Sequence, residues 1–415
     1  MRLLAAVGTV LLSAAAGAAP PPAGDAYLGA RDAIVVAASG CNSSSYSAVP
    51  GSDELFLGRL LLSSEGVLPA LNGPADCSGG NPDNEKTGRI FSRWALTLDR
   101  FDWSAHRFDI IKTVLDTSLD PATRQARAVV SGGPMRGAII QSAYDPSLVR
   151  YRGTDYVVFE CIVSNGAAYG VDGTSSCIGV YDPAKQEVDL GRTQVIVSGF
   201  HGPDRSTFHA AAVPQLLVFQ DRLYLYWSAL TVVNGKFQSV AVRGAELEIG
   251  TGVSVKGSQG RLVRSMDEPA TVEVWAPQPG DPLSDTTVDA RAVWASGGSV
   301  IALAGKGGGG CTAPDGPQQG CFRLAMVRSA QPLGLHVFNQ AQPVKLELPS
   351  NPEEYTATMR DPQGRTWLLG HYLKPPANGW SELRPAPGGD YWSRQPPKAA
   401  QMVMFPLPDA GLAPQ

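Results

Sequence analysis

A strand, a short polar turn and a second strand recur along this chain, and few folds accept that pattern. The clearest copy is "SAYDPSLVRYRGTDYVVFEC" (142–161). Leu148-Val149-Arg150-Tyr151 and Tyr156-Val157-Val158-Phe159 read as strands there, joined by the turn Arg152-Gly153-Thr154-Asp155. Further copies are "AVPQLLVFQDRLYLYWSAL" (212–230), "VDARAVWASGGSVIALAG" (288–305) and "YTATMRDPQGRTWLLGHYL" (355–373). A weaker one, "DAYLGARDAIVVAASG" (25–40), comes first and is separated from the rest by the Gly/Pro/Asn-rich insertion at 63–88. The turn markers Gly153, Asp221, Gly297 and Gly364 lie 68, 76 and 67 residues apart.

Further strand-like runs follow each hairpin. "CIGVY" (177–181) pairs with "TQVIVSG" (193–199), "QSVAVRG" (238–244) with "RLVRS" (261–265), and "FRLAMVRS" (322–329) with "VKLELP" (344–349). "QMVMFPLP" (401–408) completes the last unit. Five units of roughly 75 residues nearly account for the chain. The pattern therefore predicts an all-β, five-bladed β-propeller. Its four-stranded antiparallel blades surround a central funnel, and both termini contribute to the last blade. Two stacked β-sandwiches are the alternative.

The N-terminus reads as an export signal. "MRLLAAVGTVLLSAAAGAAP" joins a basic Arg2, an apolar run and small residues near Ala18 and Ala19. This gives a signal peptide over 1–19, one propeller domain over 20–415, and a secreted or periplasmic location. No stretch reaches the ~20 apolar residues of a membrane span. Six cysteines fall into three local couples, Cys41/Cys77, Cys161/Cys177 and Cys311/Cys321. Sequential disulfides are expected from them, although six cysteines allow 15 pairings. No CxxC or nearby His accompanies any couple, so they do not read as metal ligands. A net charge of −4 gives no electrostatic case for nucleic acid.

The first strand of each blade lines the funnel. Aligned on the turn markers, Asp145, Val213, Asp289 and Thr356 take equivalent positions. Two of these are carboxylates. Asp25 is a looser third candidate, and Glu354 lies two residues before Thr356 on the same strand face. Glu160 interrupts the apolar run "YVVFECIV", where an unpaired charge is costly. It and His371 each follow their turn glycine by seven residues. The plainer readings stand beside these. Asp before Pro starts turns, Asp289 fits a loop carboxylate, and His209 and His371 fit structural histidines. Trp227, Trp275 and Tyr226 are either packing or a sugar-stacking surface. No nucleophile elbow, phosphate loop or zinc signature is present, and "GKGGGG" (305–310) lacks the Lys-Ser/Thr of a P-loop.

The hairpins "AYDPSLVRYRGTDYVVFEC" and "VPQLLVFQDRLYLYWSAL" resemble motifs of the five-bladed β-propeller glycoside hydrolases. That group includes arabinanases, furanosidases, fructosidases and levansucrases. The resemblance implies a glycan substrate, with arabinan or another furanoside favoured, and an Asp acting as base or nucleophile. It also implies a second Asp orienting the first and a Glu donating the proton. Asp145 matches the catalytic Asp and Asp289 an inner-strand Asp. The Glu expected just before Val213-Pro214 is replaced by Ala212 in "FHAAAVP", which leaves Glu160 and Glu354 as acids. Asp25, His209, Trp227, Trp275 and His371 are the candidate substrate contacts. The resemblance requires no cofactor; an ion or water on the axis near His371 stays open. The chain is expected to act as a monomer. A propeller that binds glycans without cleaving them is the competing reading.

Overall fold

The computed structural model describes residues 34–36, 42–60, 94–164, 174–344, 354–372 and 401–407, with short gaps inside these spans. The signal segment, Asp25 and two of the cysteine couples lie outside the described residues.

Strand β1 (Ile34–Val36) precedes a first sheet of β2 (Asn42–Ala48), β3 (Glu54–Leu60), β4 (Trp94–Asp102) and β5 (Arg107–Leu115). The second sheet carries β6 (Ile139–Tyr151), β7 (Thr154–Ser164), β8 (Thr174–Asp182), β9 (Glu187–Val188) and β10 (Gln194–Ser198). Next come β11 (Phe200–His201), β12 (Thr207–Phe219), β13 (Arg222–Val233), β14 (Lys236–Ile249), β15 (Val253–Val255), β16 (Val263–Arg264) and β17 (Val272–Trp275). They are followed by β18 (Thr287–Ser296), β19 (Ser299–Gly307), β20 (Thr312–Ala313), β21 (Gly316–Pro317), β22 (Arg323–Ser329) and β23 (Gln342–Val344). The last sheet holds β24 (Glu354–Arg360), β25 (Thr366–Tyr372) and β26 (Gln401–Pro406), and β1 pairs antiparallel with β26.

The protein is all-β, and its mostly antiparallel sheets are arranged as in a propeller. The described residues form four large sheets, not five separate ones. The third and fourth hairpin units merge into a ten-stranded sheet because β14 meets β18 through the single parallel pair Val240↔Thr287. Two further expectations need correction. Residues 34–36 join the last sheet, so the first hairpin is β2–β3. The run at 261–265 supplies β16, which crosses over to pair in parallel with β10 of the second sheet.

Five strands, β2, β6, β12, β18 and β24, lie innermost, and each packs beside the next in a closed cycle. Three of the hairpins turn through pairs with positive φ, namely Arg152-Gly153, Gln220-Asp221 and Gly297-Gly298. Such pairs match the twist of the flanking strands.

Sheets stacked around an axis are covered on both faces, so their strands read as continuous apolar runs. In β7, every residue after Thr154 is buried. Phe56, Leu96, Val157 and Phe159 share one core between the first two sheets, where Phe56 meets Tyr181 edge to face at 4.8 Å. Val158, Ile178, Leu216 and Leu225 share the next. The two halves of the ten-stranded sheet face each other across a third, with Leu217 and Tyr224 against Val288 and Val300. Tyr46 and Phe101 close the cycle on Trp367 and Met404. Each large side chain fully buried in these layers contributes about 1.5–3 kcal/mol. Exposed ion pairs such as Arg152–Asp221 add little beside that. Cys161 and Cys177 form a disulfide between β7 and β8 inside the first core.

Gly199 marks the crossing from the second sheet to the third. A Cβ there would stand 2.4 Å from the Thr174 carbonyl oxygen and 2.9 Å from that of His209. Both obstacles are backbone, so neither can rotate away. Gly199→Ala is expected to destabilise the protein by about 1–3 kcal/mol in a denaturant titration. An unchanged midpoint would show that the two sheets are not held this closely.

Candidate active site

Four inner strands bulge at one level. The pairing with the second strand shifts between Tyr144 and Ser147 in β6 and between Ala212 and Gln215 in β12. It shifts between Ala290 and Ala292 in β18 and between Tyr355 and Ala357 in β24. The bulged residues are thus Asp145-Pro146, Val213-Pro214, Arg291 and Thr356. This corrects the alignment by turn markers, since Arg291 and not Asp289 is the counterpart of Asp145. Asp289 corresponds in register to Ala143, Ala211 and Glu354. Glu160 pairs with Tyr144, whereas His371 pairs with Glu354. Those two second-strand residues are therefore one step out of register.

Asp145 has φ 48° and Val213 φ 45°. A residue before proline favours an extended backbone, yet Asp145 and Val213 both adopt the left-handed one directly before Pro146 and Pro214. Aspartate tolerates the left-handed region through its short polar side chain. A β-branched valine does not, and its strain is of order 1–3 kcal/mol. Val213 shows that the bulge itself does not demand an acid.

A bulge also releases backbone N–H groups from the ladder. Glu160 answers one of them, as its Oε2 accepts from the Val213 N–H at 2.7 Å. The phenol of Tyr144 donates a second hydrogen bond to the same carboxyl and itself accepts from Thr174. Burial, then the neighbouring Asp145, push the Glu160 carboxyl well above its ordinary range, against the pull of those two donors; Asp289 adds a smaller push. Glu160 therefore holds its proton to higher pH than an ordinary glutamate does.

Asp289 is held from the other side. The Ser228 hydroxyl donates to its Oδ1 and accepts from the Ala290 N–H at 3.0 Å, while the Arg291 Nη2 contacts its Oδ2 at 2.7 Å. Asp145, Glu160 and Asp289 are all nearly buried, at 2%, 5% and 7% exposure, and Arg291 at 1%. Three carboxyls and one guanidinium thus share a space largely closed to water. A carboxyl that keeps its proton beside other carboxylates is the arrangement acid–base catalysis uses.

The remaining expected residues divide. Trp227 is a core residue packed with Val158, Ile178 and Leu225, and its Nε1 donates to the Ser265 carbonyl at 3.0 Å. Trp275 is likewise core, 5.8 Å from Phe338. Tyr226 is buried and donates to the Pro332 carbonyl. Strands covered on both faces bury their aromatics, so none of the three lines a funnel. His209 stacks on Phe200 at 4.5 Å with Nδ1 3.1 Å from the Thr231 hydroxyl, and burial lowers its pKa. It stands near the start of β12, four residues before the bulge. Glu354 and His371 have described backbones on β24 and β25, but their side chains lie outside what is described. Among the described residues, no three His, Cys, Asp or Glu side chains are placed to hold a metal ion, and no helix is long and apolar enough to cross a membrane.

Sequence reasoning missed Arg291, Tyr144 and Ser228. Arg291 carried the same signal that singled out Glu160, a charge inside an apolar strand. Tyr144 adjoins Asp145, and its role became visible only through the β6–β7 pairing.

The raised Glu160 pKa has a sign that can be tested. The unfolded carboxyl ionises near its ordinary 4.5 while the folded one resists. The residue therefore costs stability increasingly as pH rises above about 4.5, until the folded group itself ionises. Glu160→Gln keeps an acceptor for the Val213 N–H and cannot ionise. Its melting temperature relative to the native protein is expected to be higher at pH 8 than at pH 4. An equal difference at both pH values would mean that Glu160 is not perturbed.

No protein-family model matches the chain, and no curated protein matches it in sequence. Solved structures do. The chain is similar to an α-L-arabinofuranosidase from Lactobacillus brevis at 11% identity, covering 89% of this chain and 93% of that one, with a TM-score of 0.49. It is similar to a thermostable family-43 glycoside hydrolase at 10% identity, covering 92% and 96%, with a TM-score of 0.48. A GH43_1 enzyme from Xanthomonas citri complexed with xylose matches at 13% identity over 93% and 94%, with a TM-score of 0.45. At these values the likeness fixes the role of no side chain.

Proposed function

We propose that this protein is an exported glycoside hydrolase, secreted or periplasmic, that cleaves a neutral polysaccharide or oligosaccharide of arabinan or furanoside type. The observation that carries this reading is the split within one buried cluster. Glu160 is pushed toward its protonated form, while Asp289 is engaged by Arg291. In glycoside hydrolysis one carboxylic acid protonates the leaving oxygen and a second carboxylate activates water or attacks the sugar carbon. Glu160 takes the first part and Asp145 the second. Asp289, fixed by Arg291 and Ser228, orients the pair, and Glu354 is the alternative acid. The ten-stranded sheet counts as two blades in this reading, which makes five blades over residues 20–415 behind a signal peptide at 1–19. The closed cycle of five inner strands and the core between the two halves of that sheet support the count.

A second reading, a propeller that binds glycans without cleaving them, has its own support. The β12 bulge holds Val213 beside the position where the resemblance expects an acid. Glu160 also spends its carboxyl on the Val213 N–H and Tyr144, which suits a strut as well as a proton donor.

Incubation with arabinan, arabinogalactan, fructan and xylan separates the two. The first reading expects reducing ends from at least one glycan, and the second expects affinity without product. Asp145→Asn retains the left-handed backbone, since Asn accepts that conformation as readily as Asp. It is expected to lower turnover at least ~10²-fold with an unchanged melting temperature. A sharply lower melting temperature with normal turnover per folded molecule would make Asp145 a bulge residue only.

A further inference from the structure

Two aromatic rings beside the carboxyl cluster are not core. Trp94 and Tyr144 are each half-buried, with ring centroids 6.1 Å apart and planes tilted by 45°. We propose that Trp94 and Tyr144 form a shelf on which one neutral sugar ring of the ligand stacks next to Asp145. This deepens the glycan reading above and rests on it.

The shelf is held still. Trp94 opens β4 after the long insertion, and both of its backbone groups are gripped. Its N–H donates to the Ser142 hydroxyl at 2.9 Å, and its carbonyl accepts from the Thr117 hydroxyl at 2.7 Å. Ser142 belongs to β6, so the tryptophan of the first sheet is keyed to the strand that carries Tyr144 and Asp145. The phenol of Tyr144 is tied to Glu160 and Thr174. A backbone anchored in this way and a phenol tied on both sides leave less freedom to lose when a ligand arrives.

The surroundings select the ligand. A sugar ring has an apolar C–H face and a rim of hydroxyl donors. An aromatic surface matches the face, and carboxylate acceptors match the rim. A uronate or a phosphorylated ligand would meet the carboxyls of Asp145 and Asp289 against the single Arg291 guanidinium, which Asp289 already engages, and like charges in a partly desolvated site repel strongly.

Calorimetric titration of the Asp145→Asn protein with neutral arabino- and xylo-oligosaccharides tests the shelf, because this variant holds the ligand without consuming it. Trp94→Ala is expected to raise Kd about tenfold, and Trp94→Phe, which keeps a ring, less than about threefold. If Trp94→Ala does not fold, N-bromosuccinimide oxidation of the Asp145→Asn protein gives the second readout. Bound oligosaccharide should protect Trp94 from the reagent. Binding that is unaffected by Trp94→Ala, or that leaves Trp94 as reactive as before, overturns the shelf and leaves the glycan reading standing. No binding of any neutral oligosaccharide overturns both.

Discussion

A backbone N–H that its own ladder leaves unpaired, at a bulge or on the open edge of an inner strand, must find another acceptor, and the centre of this protein follows from that requirement. The inner strands bulge at one level, and each hairpin unit takes up N–H groups that the next unit's inner strand leaves open, at its bulge or along its free edge. Ser47 of β2 accepts from the Leu148 N–H of β6, and Ser147 of β6 accepts from the Leu216 N–H of β12. Glu160 and Ser228 do the same for Val213 and Ala290. Leaving one such donor buried and unpaired would cost about 1–3 kcal/mol. Polar side chains are therefore required beside the axis for structural reasons before any chemistry is considered. Neighbouring sheets stay in register through these bonds, and the carboxyls arrive with them.

The same bonds limit what the site can do. Glu160 is buried because β7 is covered on both faces, and burial is what keeps its proton. The backbone donor that justifies its presence also restrains its movement. Asp145 differs, since its bulge position is tolerated by aspartate and is filled by valine one sheet further on. The acid most open to a functional explanation is thus the one the fold needs least.

Much of the architecture was legible in the sequence. Alternating hairpins with turn residues at regular spacing set the strand pairs, and β6–β7, β12–β13, β18–β19 and β24–β25 all form where the repeats placed them. The closure was legible too, since both termini were expected in the last blade and Ile34–Val36 pairs there with β26. The use of 34–36 in a first hairpin and of 261–265 within the third unit was misread, because short strands carry too few side chains to name their partners. Within the site, Asp145, Glu160 and Asp289 were found from charge in apolar strands, and they do come together. Their alignment was wrong by two residues in β18, because Gly297 opens its turn where Gly153 closes its own, and because the β18 bulge leaves one residue unpaired where that of β6 leaves two. Trp227 and Trp275 were misplaced since a strand buried on both faces has no side left for a funnel, while Trp94 stood outside every repeat.

The antiparallel pairing of β1 with β26 has a temporal side. Ile34 faces Met404, so almost the whole chain must exist before that contact forms. Synthesis delivers the hairpins first and the closing partner last. Until then, the growing assembly presents bare strand edges at both ends, the kind of surface that recruits other chains. A protein built this way depends during its biogenesis on whatever keeps nascent chains apart. Its most exposed moment comes just before it is finished.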